Sequence, residues 1–184
     1  MDDIVKQAMS KWPNVPNCYG WLGLDARGNW YMRDDRAQAQ GGFSSGTPGA
    51  KGSLLQHAKL IEFIQRNYAA DASGQWYFQN GPQRVYVELE ATPWVWRVAD
   101  GFQVAAHDGT PTEWQQSFTD EYGWLYLQTS IGFGLVHTQD VTVAADAIEQ
   151  RLWTVETSTR DALTARFAYA TSPQLLQAIK KPAL

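Results

Sequence analysis

Asp71-Ala72-Ser73-Gly74-Gln75-Trp76-Tyr77-Phe78 rewrites an octapeptide met earlier in the chain, Asp25-Ala26-Arg27-Gly28-Asn29-Trp30-Tyr31-Met32. Both copies keep Asp-Ala, then Gly, an amide residue, Trp-Tyr and a large apolar residue. Asp three places before Gly suits a tight turn: the carboxylate accepts from nearby backbone amides, and Gly takes positive φ. The Trp-Tyr-apolar triplet that follows reads as strand, where aromatics pack well on a pleated surface. One turn-into-strand device is therefore used twice, which points to duplication.

Tyr19 to Leu24 and Asn29 to Met32 flank the first turn as a hairpin. The second copy leads through Asn80-Gly81-Pro82 into Arg84 to Glu90. There Val85, Val87 and Leu89 alternate with Arg84, Tyr86, Glu88 and Glu90, the pattern of a half-buried strand. Between the copies, Ser53 is a candidate cap for a helix to about Tyr68, with His57, Leu60, Ile61, Ile64 and Tyr68 on its apolar side. Residues 37–53 are Ala, Gln, Gly and Ser with few large apolar side chains besides Phe43. They predict a mobile surface loop, with a lid over a pocket as the functional alternative. Residues 17–92 thus read as a ββαββ lobe, preceded by a helical extension over 1–16 that carries Val5, Ala8 and Trp12.

Thr92-Pro93 marks a change of lobe. Short strand-like runs at Trp94 to Val98, Phe102 to Ala106, Trp114 to Phe118 and Trp124 to Thr129 follow, separated by Asp-Gly turns. They predict an antiparallel sheet or small open barrel over 93–184. Val143 to Gln150 reads as a short helix, and Leu152 to Thr157 as a strand. The alternation of Leu163, Ala165, Phe167 and Tyr169 predicts another strand, and Ser172-Pro173 opens a terminal helix. The fold class is α+β.

Composition narrows the function classes. The chain has 184 residues, nine Trp, a net charge of −4 and a single cysteine, Cys18. The acidic balance speaks against extended nucleic acid as a partner. One cysteine gives no internal disulfide framework. There is no basic-then-apolar leader and no stretch apolar enough to span a bilayer, so a cytoplasmic protein with no membrane partner is expected.

Gln75 to Trp94 resembles the central signature of bacterial unknown-function family 1285: an aromatic strand, a turn ending in Pro, a basic residue opening a valine-rich strand, an acidic residue, then Pro and an aromatic. Asp25 to Tyr31 resembles that family's first hairpin, Thr129 to Gly132 its Thr-Asn-Val-Gly-type segment, and Arg166 to Tyr169 its late Arg-x-x-Tyr segment. Two departures point to a sister family: the segment 37–53 replaces a short link, and Ala91-Thr92-Pro93 replaces an acidic-Pro pattern. The resemblance implies a duplicated α+β core and a pleckstrin-homology-like second lobe. It also implies a nucleotide-like ligand between the lobes, with a signalling role, and it brings no enzymatic activity with it.

No motif supplies catalysis. His57, His107 and His137 lack partners at metal-ligand spacing, and neither Ser44 nor Ser130 sits in a nucleophile elbow. No catalytic residue, metal or cofactor is expected. The expected ligand residues are Arg33 and Arg36 after the first hairpin, and Asn80, Gln83 and Arg84 around the second turn. Trp94 and Trp96 add stacking surfaces, and Arg166 and Tyr169 a late contribution. Arg clamps phosphate or carboxylate, and Trp or Tyr stacks a base, so the expected ligand is small and anionic or nucleotide-like. The first alternative is a protein partner on a pleckstrin-like lobe or sheet edge without a small ligand, and the second is a hydrolase.

Overall fold

The computed structural model describes residues 1–180. The chain divides into two units, one of Met1–Asp25, Asn29–Glu90 and the segment from Ala170, the other of Ala26–Gly28 and Ala91–Tyr169. The first contains α1 (Asp3–Lys11), β1 (Cys18–Leu24), β2 (Trp30–Met32), α2 (Asp35–Gln40), β3 (Ser53–Leu54), α3 (Ala58–Arg66), β4 (Tyr68–Ala70), β5 (Trp76–Asn80) and β6 (Gln83–Leu89). The second contains β7 (Trp94–Ala99), β8 (Gln103–Ala106), β9 (Pro111–Thr112), β10 (Trp114–Thr119), β11 (Leu125–Thr129), β12 (Gly132–Val136), α4 (Val141–Glu149), β13 (Val155–Thr157) and α5 (Arg160–Arg166). A last helix, α6 (Pro173–Lys180), belongs to the first unit and not, as expected, to the second lobe.

The two sheets share one topology. The first is six-stranded, ordered β3-β2-β1-β6-β5-β4; the second is seven-stranded, ordered β13-β10-β11-β12-β7-β8-β9. Without β13, the second order is the first repeated strand for strand. In each, the first and last strands of the repeat pair parallel: Leu22 lies opposite Val87, and Leu135 opposite Val95. Both sheets are therefore mixed, not antiparallel as the hairpins alone suggested. Local patterning shows hairpins, but the central pairing joins strands far apart in sequence.

The connection from third to fourth strand separates the two units. In the first, the segment carrying α3 takes the chain from β3 at one edge to β4 at the other. In the second, Glu113 alone separates β9 from β10. Five inter-strand gaps of about 4.8 Å would hold those strands roughly 24 Å apart in a flat sheet. A single intervening residue reaches only about 7 Å. The second sheet must curl, and it forms a half-barrel. This is the small open barrel expected from the sequence.

The turn of the octapeptide occurs a third time, at Asp120-Glu121-Tyr122-Gly123-Trp124-Leu125-Tyr126. At each site the Asp backbone N–H donates to the carbonyl four residues on: Asn29 O at 3.0 Å, Gln75 O at 2.9 Å and Trp124 O at 3.1 Å. The carboxylate accepts from that residue's N–H in return, at 2.8, 3.0 and 2.8 Å. Asp71 and Asp120 occupy equivalent places, between the fourth and fifth strands of their units. Tyr86 donates to Asp71 at 3.0 Å and Tyr126 to Asp120 at 2.9 Å, so each turn is also tied to the sheet by a tyrosine.

Both faces of each sheet are covered. In the first, Leu22, Leu24, Trp30, Phe78, Val87 and Leu89 are buried on the side where Phe63 of α3 meets Phe78 edge-on at 5.4 Å. Tyr86 and Glu88 of β6 are buried too, because α6 lies over the opposite face. The half-buried strand expected at 84–90 is thus covered on both sides. In the second unit, Trp96, Val98, Leu125, Leu127 and Val136 pack with Ala144 and Ala147 of α4. Phe118 and Phe133 meet Phe167, which follows α5 and stacks on Phe133 at 3.9 Å, and Tyr126 stacks on Phe133 in turn.

Three further elements depart from the reading of the sequence. Residues 160–166 form a helix, not a strand, capped by Thr159, whose hydroxyl accepts from Ala162 N at 3.2 Å. Helix α3 starts at Ala58, with an exposed His57 accepting from Leu60 N at 3.2 Å; Ser53 instead opens a short edge strand. Residues 132–136, ambiguous in sequence because Gly132 and Gly134 suit a loop, form β12.

Candidate functional site

In β2, Trp30 is buried and Arg33, just beyond the strand, is fully so, at 0 % exposure. Its guanidinium donates from Nε to Ala50 O at 2.8 Å, from Nη1 to Gly20 O at 3.1 Å and from Nη2 to Gly41 O at 2.5 Å. A further contact runs from Nη1 to Gln174 Oε1 at 3.4 Å. Burial acts to lower the Arg33 pKa, against the field of the Glu88 carboxylate. Glu88, buried in β6, accepts from Ser172 Oγ at 2.6 Å and from Gln174 N at 2.9 Å. Burial pushes its carboxyl up, against those two bonds and the Arg33 charge. Arg33 thus holds backbone carbonyls and shares a buried network with the start of α6. It is not presented to a ligand as an open clamp.

This clamp changes the reading of residues 37–53. Helix α2, capped by Asp34 accepting from Ala37 N at 2.9 Å, runs into the segment, and successive turns follow. Phe43 and Ala50 are buried within it. Gly23 makes room for the Phe43 ring, which a Cβ there would meet at 2.5 Å. Gly52, at φ +80°, passes so close to Met32 O that no side chain fits. The composition suggested a loop with too little to bury. The order comes instead from Arg33 satisfying the carbonyls of Gly41 and Ala50.

Arg33 touches a wall of two of the concavities in the first unit. One is a cradle of about 320 Å³ formed by the inserted loop, with Phe43, Ser44, Thr47, Pro48, Lys51 and Glu90 in its lining. Lys51 Nζ pairs with Glu90 at 2.7 Å and lies 5.6 and 5.7 Å from the Tyr31 and Phe43 ring centres. The other is an open groove of about 600 Å³ lined by Pro16, Asn17, Tyr19, Gln174, Gln177 and Ala178. Tyr19 stacks on Tyr86 at 4.6 Å with the planes 4° apart. Burial is the main cause that raises the Tyr86 phenol to about 12. Arg84 sits 4.5 Å over the Tyr77 ring, and Tyr77 meets Tyr86 edge-on at 5.8 Å.

The other expected ligand residues are dispersed. Arg36 is exposed on α2, and Asn80 is exposed at the end of β5. Gln83 donates to Pro16 O at 3.0 Å, beside the groove. Trp94 and Trp96 do share a strand face, stacked at 5.9 Å, and Trp96 donates to Leu127 O at 3.0 Å inside the core. Arg166 pairs with Glu156 at 2.9 Å and lies 4.9 Å over Phe118. Tyr169 is buried and in contact with Thr164 Oγ1 at 3.2 Å. Tyr19, Gln174, Gln177, Lys51 and Glu90 were not singled out from sequence. The strict alternation of Arg84, Tyr86 and Glu88 does mark the polar face they share. Among the described residues no group of three or more His, Cys, Asp or Glu is placed to hold a metal ion. No helix there is long and apolar enough to cross a membrane.

Fold and concavities define an α+β protein of two topologically repeated units, one carrying an inserted loop and a polar groove. The chain belongs to the family DUF2944, described as "Protein of unknown function (DUF2946)", whose model matches residues 1–183. No curated protein matches it. Among solved structures it is similar to a DUF1285 family protein from Silicibacter pomeroyi DSS-3, with 12% sequence identity over 79% of this chain and 84% of that one, at a TM-score of 0.45. The likeness to family 1285 read from the sequence thus has a counterpart among solved structures, while membership lies with a different family.

Proposed function

We propose that the protein is a non-enzymatic binder of a small planar, polar ligand, of which a nucleobase or nucleoside is the model. The groove beside Tyr19 is its site. The stacked Tyr19–Tyr86 pair carries this reading: it sets a flat aromatic wall beside the amides of Asn17, Gln174 and Gln177. A further ring continues the stack, and amide side chains pair with the edge of a base. A volume of about 600 Å³ suits a ligand of that size. Gln174 is held by Gln38 at 3.0 Å and through its own N–H by Glu88, so one recognising amide is fixed in advance. Among the described residues no cation lines the groove, which favours the base portion of a nucleotide over its phosphate. With no acid–base or nucleophilic set at the groove among the described residues, the role is to sense the ligand, in keeping with a part in signalling.

A thermal-shift series with nucleobases, nucleosides and nucleotides tests this, since a ligand that binds only the folded state raises the melting temperature. Stabilisation by at least one of them, lost in Gln177→Ala, is expected. A flat response to the whole series, or an undiminished response in Gln177→Ala, overturns the reading.

A further inference from the structure

The cradle has no counterpart in the repeated topology. In the second unit residues 107–110 suffice to connect β8 to β9; in the first, residues 33–52 make the same connection, from β2 to β3. The strand order is the same in both, so the fold does not require the insertion. Long ordered insertions of this kind are predominantly functional. Its order rests on a costly device, a fully buried guanidinium bonded to Gly41 O and Ala50 O. Sites that bind are held rigid in this way, with the shape fixed before the ligand arrives.

The chemistry of the lining then selects the ligand. Lys51 and Glu90 stand side by side at 2.7 Å with side chains 38% and 29% exposed, so the cradle shows water one positive and one negative group. A lone anion meets Glu90 and a lone cation meets Lys51, each an unfavourable neighbour. A molecule bearing both charges a few ångströms apart meets neither. An ammonium carries three donors, and the Lys51 group uses one toward Glu90, leaving donors for a carboxylate. The Ser44 and Thr47 hydroxyls and the Phe43 ring complete walls of mixed polarity. About 320 Å³ accommodates a free amino acid but not a peptide of several residues.

We propose that the cradle is a binding site for a small zwitterion of the α-amino-acid type, its carboxylate on Lys51 Nζ and its ammonium on the Glu90 carboxylate. The site is independent of the groove at Tyr19.

Isothermal titration of the full chain with alanine, leucine and phenylalanine tests it, each run beside its des-amino acid and its decarboxylated amine. At least one amino acid is expected to bind tenfold or more tightly than either of its halves. Lys51→Met and Glu90→Gln should each weaken it tenfold or more, whereas Gln177→Ala in the groove should leave it unchanged. The exchange Lys51→Glu with Glu90→Lys should restore binding, because the pair is kept with its ends reversed. Binding of the des-amino acid as tightly as the amino acid would show a plain anion site and overturn the proposal. So would the absence of binding at millimolar concentration. The three ligand forms decide the matter on the wild-type chain, whether or not a variant folds.

Discussion

The two units are one topology built two ways. Both arrange their strands third, second, first, sixth, fifth, fourth, and both join first to last in parallel. The second takes the shortest path at every corner: residues 107–110 turn β8 into β9, and Glu113 runs β9 into β10, which rolls the sheet into a half-barrel. The first widens both corners, one with the segment 33–52 and the other with α3. Its sheet need not curl, and it carries the cradle. The plain unit shows what the topology needs, and the elaborated one shows what was added to it.

Arg33→Ala should destabilise the protein most, through the elaborated first unit. It strands Glu88 and three carbonyls, and breaking a buried charge network of this kind costs about 3–5 kcal/mol. Urea unfolding should show it; a loss below about 1 kcal/mol would mean the insertion does not depend on its clamp. Next come the equivalent turns. Asp120 accepts from Tyr122 N, Trp124 N, Tyr126 Oη and the Arg160 guanidinium, whereas Asp71 accepts from Ser73 N, Gln75 N and Tyr86 Oη. Asp120→Ala should cost about 3 kcal/mol and Asp71→Ala about 1–2 kcal/mol, by the same measurement. Equal losses would remove the distinction between the two turns.

Acid titration of stability sharpens the contrast with a change of sign. For Asp120, burial raises the carboxyl, but bonds from Trp124 N, Tyr126, Arg160 and Tyr122 N outweigh it and hold the net value below 3.8. Asp140 behaves likewise: burial is outweighed by Arg97 and Val98 N. Both support the second unit fully above their unfolded value near 3.8, and that support is lost as pH falls through the lower folded value. Glu88 in the first unit is opposite. Its folded pKa lies above 4.5, so the folded state keeps that proton longer and stability declines as pH climbs from 4.5 through the raised value. Glu88→Gln should remove this decline and leave the acid-side loss intact; a melting series across pH 2–7 would check it. The smallest effect is Arg166→Ala. Its pair with Glu156 is about half exposed on both sides, so the change should fall within about 1 kcal/mol in chemical denaturation.

What the sequence disclosed was local. The Asp25 and Asp71 turns, the strand from Arg84 and the Ser172-Pro173 helix start are each written in a few adjacent residues. The same vocabulary held the third turn, since Asp120, Gly123 and Tyr126 repeat the spacing of Asp71, Gly74 and Tyr77. Alternation misled at 163–169, where only Leu163 and Tyr169 are buried; Thr159, two residues after a strand, was the better signal for a helix. The parallel pairings of β1 with β6 and β7 with β12 leave no local trace. For the candidate sites the limit was of the same kind. A count of apolar side chains in 37–53 misses order that comes from carbonyls bonded to a distant guanidinium. Lys51 and Glu90 are neighbours only because that order exists.

The position of α6 has a consequence for how the protein is made. Glu88 is placed in the first sheet early in synthesis, yet Ser172 and Gln174, which bond its carboxylate, leave the ribosome only after the whole second unit. Through that interval the first unit has its strands but not the helix that covers their polar face. The half-barrel, complete by Tyr169, can close on its own contacts while its elder neighbour waits. The order of completion is the reverse of the order of translation.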